Sequence, residues 1–592
     1  MQRWILQTGR MHSVLFSLAM FIASTVGIPT AFAQNSTRRS RPASPPSVAP
    51  TFVAPSKSVK VESPRPVPVT TTDPRVATWI EKGLALETES RWSEAAGHYE
   101  EAIKEFPDNP RIRDRWNLAR AHCDVARRHG ESDYVRWSRS VTREEAISTY
   151  GEILQKIQSN YVGAPTWSEM TREGARFLLA AVEEANFRDA QGLKQNINVI
   201  DAFREEFARR AATYAPASRD EAKACAEDAA RLAQIRLGIP VAVTILEFAA
   251  GCSSTLDEYS AFLAPTQLDE LFSQIEGNFV GLGVEIKTEA DCLRIVDVIA
   301  GSPAEAVGLK RNDRIVAVDG HHTRDEHPDV VADYLRGPEG SEVEVVVRMA
   351  NSNEKTFRAV RKRVDVPCID RVDILDRDAG IAYLRLTNFQ KSTSRDLDAA
   401  MWKLHRDGMQ ALVLDLRGNP GGLLDAAVKS ADKFIRDGKI VSTRGRSPRE
   451  DFDYHAIAEG TWPVPLVVLI DGDSASASEI FAGAIRDHHR GTIVGSRSYG
   501  KGSVQGIFPL STSKAGVRLT TSRFFSPSGA AISGKGVEPN VRVETVAKPN
   551  TDGETPSLVD DEGNDRDSVL ERGIAEAKLL SAPRQQVTRA AK

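Results

Sequence analysis

The spacing of apolar residues changes character twice along the chain. From Arg75 to Ala250 they recur every three to four positions, the period of one helix face. That period predicts helices over Pro110–Arg128, Glu145–Tyr161, Met170–Ala185, Ile200–Tyr214 and Arg219–Ala250. From Gly277 the period shortens, and glycine- and proline-containing turns separate strands entered at Phe279–Ile286 and continued at Leu293–Ile299, Asp313–Gly320 and Glu342–Met349. Short helices are expected at Ala304–Val307 and Asp329–Leu335. From Gly380 compact apolar runs (Gly380–Leu386, Ala411–Leu416, Leu466–Ile470, Thr492–Val494) alternate with helical stretches at Ser394–Arg406, Leu424–Ile435 and Ser476–His489. Buried strands alternating with helices predict an α/β layer, so the whole reads as a multidomain α+β chain.

The two ends follow other rules. Arg3 and Arg10 precede the largely apolar stretch Val14–Ile28, and Ala31-Phe32-Ala33 supplies a small-x-small cleavage pattern, so residues 1–33 read as a signal peptide. An uncleaved membrane anchor is the alternative, weakened by Thr25, Pro29 and Thr30. The expected location is therefore exported, periplasmic or envelope-associated, with membrane attachment only if that segment is retained. Residues 34–74, rich in Pro, Ser, Thr and Val, read as a disordered linker, and 548–592 as a polar tail with a short helix near Ser568–Leu580.

A length of 592 residues calls for three or more domains. A net charge of −4 offers nothing to nucleic acid. Five scattered cysteines, with no CxxC, provide neither a zinc site nor a disulfide framework, although one disulfide stays open in an exported chain. No cofactor or metal is called for.

The densest chemistry lies between Asp415 and Gln505. Asp415-Leu-Arg-Gly-Asn-Pro-Gly-Gly422 closes a buried strand with a glycine turn whose N–H groups can face a carbonyl oxygen, as they can in many ordinary turns. Asp473-Ser-Ala-Ser-Ala-Ser-Glu479 opens a helix, where exposed N–H groups favour a developing oxyanion. Ser476 with Glu479 equally fits a capping box, so this segment alone supports both readings. Lys501 then stands between two glycines in Ser496-Arg-Ser-Tyr-Gly-Lys-Gly-Ser-Val-Gln505. Desolvation of roughly 4 kcal/mol would turn such a lysine into a base at neutral pH.

Several stretches resemble known families. Trp79, Gly83, Leu86, Ala95, Tyr99, Ala102 and Pro107 fall at the offsets of one tetratricopeptide repeat, which could dock a protein adaptor. The run from Gly301-Ser-Pro303 through Gly308-Leu309 to Asp313–Gly320 resembles a PDZ domain. Asp415–Gly422, Asp473–Glu479 and Gly500–Gln505 resemble the carboxyl-terminal processing peptidases, a family with a serine–lysine dyad. Tyr161-Val162, Leu256-Asp-Glu-Tyr-Ser260 and Gly534-Lys-Gly-Val-Glu-Pro539 extend the likeness over roughly Glu144 to Val543.

This resemblance implies a serine endopeptidase with Ser476 as nucleophile, Lys501 as base 25 positions later and Gln505 orienting the lysine. It implies oxyanion donors at Ala477 and at Gly421 or Gly422, and a supporting Asp487. Asp471 and Asp473 depart from the family's more usual asparagine and glycine. The PDZ turn Val280-Gly281-Leu282-Gly283 and the strand from Val284 would hold protein or peptide substrates by apolar C-terminal tails.

The implied division is 75–140 tetratricopeptide-like, 141–270 helical, 271–363 PDZ and 364–547 peptidase core. Rival readings are a histidine-based protease using His488-His489, and a non-catalytic scaffold that only binds tails.

Overall fold

The computed structural model describes residues 73–193, 197–289, 291–325, 331–332, 334–349, 353–457, 461–543 and 567–581. The expected signal segment, nearly all of the linker and most of the polar tail lie outside these residues. The chain divides into two compact units between Cys123 and Asp124.

In the smaller unit the helices Pro74–Thr88 and Trp92–Glu105 pair antiparallel. Gly83 makes this close approach workable, since a β-carbon there would lie 2.1 Å from the Tyr99 ring. Val76, Ile80, Ala95, Tyr99 and Ala102 form the core with Ile112 and Ala119 of the helix Pro110–Gly130.

In the larger unit, helices Arg143–Asn160 and Trp167–Glu183 each begin with a Thr/Glu capping box. The expected continuous helix Arg219–Ala250 is two helices, Arg219–Leu237 and Val241–Ser253. Gly238 ends the first with φ +75°, and Pro240 cannot continue it.

The sheet of the PDZ-like stretch runs in the order Val284–Thr288, Leu293–Val298, Arg314–Val318, Glu342–Arg348, Glu354–Val360. Val284–Thr288 therefore lies at an edge. Asn278–Gly281 belongs instead to a separate ladder with Lys362–Asp365. Val280 and Gly281 are thus paired, Leu282 is buried in the PDZ core, and Gly283 adopts φ +79° against Ser302.

The main sheet runs Ile369–Asp376, Ile381–Leu386, Ala411–Asp415, Leu466–Ile470, Thr492–Gly495, Val541–Arg542. Its first pair is antiparallel and the rest are parallel. Leu412, Leu414, Val468 and Ile470 face the helices Thr393–Arg406, Leu424–Asp432 and Ala477–Asp487. Ala411, Val413, Val467 and Leu469 face the other way, against Val569 and Ala577 of the helix Ser568–Ser581. Both faces are covered, which is why these strands read as unbroken apolar runs. The helix within the supposed tail is therefore part of the core, and it is held further by a two-pronged Arg417–Asp567 ion pair.

A second sheet was not evident from the sequence. Ser503–Pro509 and Gly516–Phe525 form a hairpin, joined by Lys439–Gly445, Phe452–His455 and the distant strand Ala261–Leu263. A strand from before residue 270 and a helix from after residue 547 thus pack with the strands between them. Among the described residues no helix is long and apolar enough to cross a membrane.

Candidate active site

Three loops leave the carboxyl edge of neighbouring parallel strands: Leu416–Gly422, Asp471–Ser476 and Ser496–Lys501. Open α/β sheets place reactive groups at this edge. The buried Asn419 knits two of the loops together. Its side-chain nitrogen donates to the Leu386 carbonyl (2.8 Å), its side-chain oxygen accepts from Gly421 N–H (2.9 Å), and its carbonyl accepts from Ala475 N–H (3.1 Å) and Ser478 Oγ (2.9 Å). Asp471 accepts from Gly418, Asp473 and Ser474 N–H groups. Its carboxylate thereby braces the turn through an acceptor oxygen that asparagine would also offer.

Ser476 ends this turn with φ +62° and ψ −112°. That region is closed to most residues with a β-carbon and costs about 1–3 kcal/mol. Only half of the capping box forms. The Glu479 carboxylate accepts from Ser476 N–H (2.7 Å), but Ser476 Oγ is fully buried and bonded to nothing. Glu479 N–H donates instead to the Ser476 carbonyl (2.9 Å). The unusual backbone removes the hydroxyl from its capping role, and a buried unpaired hydroxyl costs about 1–3 kcal/mol. The arrangement leaves a buried hydroxyl unengaged at the expense of stability.

Glu479 is the residue whose importance the sequence concealed. Oε2 also accepts from Lys501 N–H (2.8 Å), while Oε1 accepts from Gly500 N–H (2.7 Å) and Ser498 Oγ (2.6 Å). One buried carboxylate thus ties the serine turn to the lysine loop, and burial raises its pKa against the pull of its four donors.

Lys501 is 5% exposed, and burial pushes its ammonium down to about 7. The charge of Arg518 acts in the same direction, while Asp257, Glu258 and Glu479 oppose it. The Lys501 amine lies 4.6 Å from the centre of the Tyr259 ring. Tyr259 and Arg518 are further site residues the sequence reading passed over. Tyr259 stood inside Leu256–Ser260 without a role, and Arg518 is on a strand that had not been foreseen.

Residues 380–543 match the profile of peptidase family S41 and residues 294–348 that of the PDZ domain. The carboxy-terminal-processing protease of Bartonella bacilliformis is 38% identical over 301 residues, covering 50% of this chain and 68% of that protein. The chain belongs to peptidase family S41. It is a serine-type peptidase carrying a PDZ domain. A probable CtpA-like serine protease of Staphylococcus aureus is 33% identical over 291 residues, 49% of this chain and 58% of that relative. Among solved structures, the photosystem II D1 C-terminal processing protease aligns with a TM-score of 0.35 and 27% identity, over 68% of this chain and 94% of that one.

In this S41 chain the remaining expected residues fall as follows. Gln505 is buried on the strand Ser503–Pro509; its amide nitrogen donates to Ser503 Oγ (2.9 Å) and Thr520 Oγ1 (3.2 Å), and its oxygen has no partner. A β-carbon on Gly421 would lie 2.7 Å from that of Ser476 and 2.8 Å from Ala477 N, so this glycine lies against the Ser476 turn. Gly422 adjoins Phe389, with which it forms a β-bridge. Asp487 ends the Ser476 helix and accepts from Ser528 N–H (3.1 Å), bracing the turn after the strand Gly516–Phe525. His488, at that far end, bonds the Lys439 carbonyl. Among the described residues no cluster of side chains could hold a metal ion.

Proposed function

We propose that Ser476 and Lys501 form the catalytic dyad of an exported endopeptidase that cleaves proteins recognised by their C-terminal tails. The carrying observation is a buried, unbonded hydroxyl on strained backbone, tied through Glu479 to a lysine that gives up its proton around pH 7. Neutral Lys501 takes the Ser476 proton as Oγ attacks the scissile carbonyl. Ala477 N–H and Gly422 N–H hold the oxyanion; Gly421 N–H is already given to Asn419. Lys501 returns the proton to the leaving amine, and water then releases the acyl-enzyme. The unpartnered oxygen of Gln505 is an acceptor suited to orienting the amine.

The edge strand Val284–Thr288 suits an added peptide strand, with the turn at Leu282-Gly283, after the paired Val280 and Gly281, receiving the terminal carboxylate of an apolar tail. The helix pair Pro74–Thr88 and Trp92–Glu105 carries the large-to-small contact of a tetratricopeptide repeat, Tyr99 against Gly83, and is assigned to an adaptor protein. The signal-like first 33 residues support a periplasmic or envelope location.

The test is cleavage of an unfolded, apolar-tailed substrate by purified parent, Ser476→Ala and Lys501→Ala proteins. Loss of cleavage in both variants, with a serine-linked acyl adduct in the parent by mass spectrometry, is expected. Cleavage at the parent's rate by either variant would refute the dyad.

A further inference from the structure

Tyr161-Val162 and Leu256–Ser260 have no part in the chemistry above, yet both converge on the lysine. Val162 N–H donates to the Thr520 carbonyl (2.8 Å), and the Tyr161 hydroxyl accepts from Asp257 N–H (3.0 Å). Ser260 Oγ donates to Asp257 Oδ1 (2.8 Å) and accepts from Thr520 N–H (3.1 Å). Directly afterwards Ala261–Leu263 pairs antiparallel with Gly516–Arg518. The segment is therefore pinned on both sides of Tyr259. The buried Arg518 fixes Tyr259 itself, its Nε donating to the Tyr259 carbonyl (2.7 Å). Above the ring thus held lies the Lys501 amine.

The two atoms that the amine is assigned to serve, Ser476 Oγ and Gln505 Oε1, are meanwhile both buried and unbonded. The amine lies over the ring and is bonded to neither.

We propose that Tyr259 is a positioning residue for Lys501, its ring forming a resting seat for the protonated amine from which the amine moves to Ser476 Oγ on deprotonation. This rests on the reading of Lys501 as the base. An aromatic face attracts an ammonium through its quadrupole and offers a neutral amine far less, so the seat discriminates between the two protonation states. Asp257, Glu258 and Glu479 add to the hold on the charged form, and Arg518 and burial oppose it. The ring's share is separable because it alone of these depends on π-electron density.

The test is the pH dependence of kcat/KM for full-length protein with fluorinated phenylalanines at position 259, beside Tyr259→Phe, Tyr259→Leu and Lys501→Ala. Tyr259→Phe keeps the acidic limb of the parent profile. Progressive fluorination, which preserves shape while draining the ring face, moves that limb stepwise to lower pH, reaching about 0.5–1.5 units, as does Tyr259→Leu. An acidic limb that stays in place through the fluorinated series overturns the seat, whether or not Tyr259→Leu folds. So does a limb displaced equally by Tyr259→Phe, which would assign the effect to the hydroxyl. Lys501→Ala protein that cleaves like the parent overturns the dyad instead, so the two failures are told apart.

Discussion

The main-chain N–H groups of Ser476 and Lys501 donate to the same oxygen of Glu479, at 2.7 and 2.8 Å. The two nitrogens thus lie within about 5.5 Å of each other, the combined reach of both bonds. The side chains can turn, but the loops bearing them cannot separate while this carboxylate is in place. Glutamine has nearly the same shape, yet turns an NH2 toward two of the four donors. Glu479→Gln should therefore lower kcat/KM at least 100-fold and cost about 3–6 kcal/mol, at roughly 1.5–3 kcal/mol for each lost bond to a charged acceptor. Steady-state kinetics with denaturant melts check this, and near-parent activity would contradict it.

Lys501 sets a pH dependence in both rate and stability. The amine becomes neutral as pH rises through about 7, so kcat/KM should climb across that value. For stability, the unfolded lysine holds its proton up to about 10.4, so between about 7 and 10.4 the unfolded state binds more protons. Burial of the charged amine thus penalises the fold fully below pH 7, and the penalty fades as pH rises toward 10.4. Lys501→Met should be more stable than the parent by on the order of 3–5 kcal/mol at pH 6, with the gap closing by pH 10. Melts across that range measure it.

Gly421 has φ +108°, and an added β-carbon would lie 2.7 Å from both the Ala475 carbonyl and Ser476 Cβ. Gly421→Ala should displace the serine turn from the Gly422 side and cost about 100-fold or more in kcat, with a smaller effect on KM, because the proposed oxyanion donors lose their alignment. Separate determination of kcat and KM distinguishes this from a binding defect.

Val569 is 4% exposed against the main sheet, whereas Leu579 on the same helix is 70% exposed. Val569→Asp should lower the melting temperature by at least several degrees, since an unpaired charge would face Val413 and Leu469. Leu579→Ser should leave it within a degree or two. Equal melting temperatures for parent and Val569→Asp would show that the helix is not part of the core.

Much of this protein could be read one residue at a time. Apolar runs buried on both faces announced the strands from Ile381 to Val494, and the resemblance to the processing peptidases singled out Ser476 and Lys501, whose main chains the structure brings to one carboxylate. These features are local, set by periodicity, turn chemistry and spacing. The sequence could not settle whether Ser476 caps its helix, because that turns on one backbone angle imposed by neighbouring loops. Nor could it reveal that Ala261–Leu263 joins a sheet some 250 residues further on, or that a helix after residue 567 covers the main sheet. Strand pairing and burial are decided by which distant surfaces exclude water together. The lysine's low pKa has the same origin: distant stretches of chain bury the amine together, and the charge of Arg518 adds to the effect.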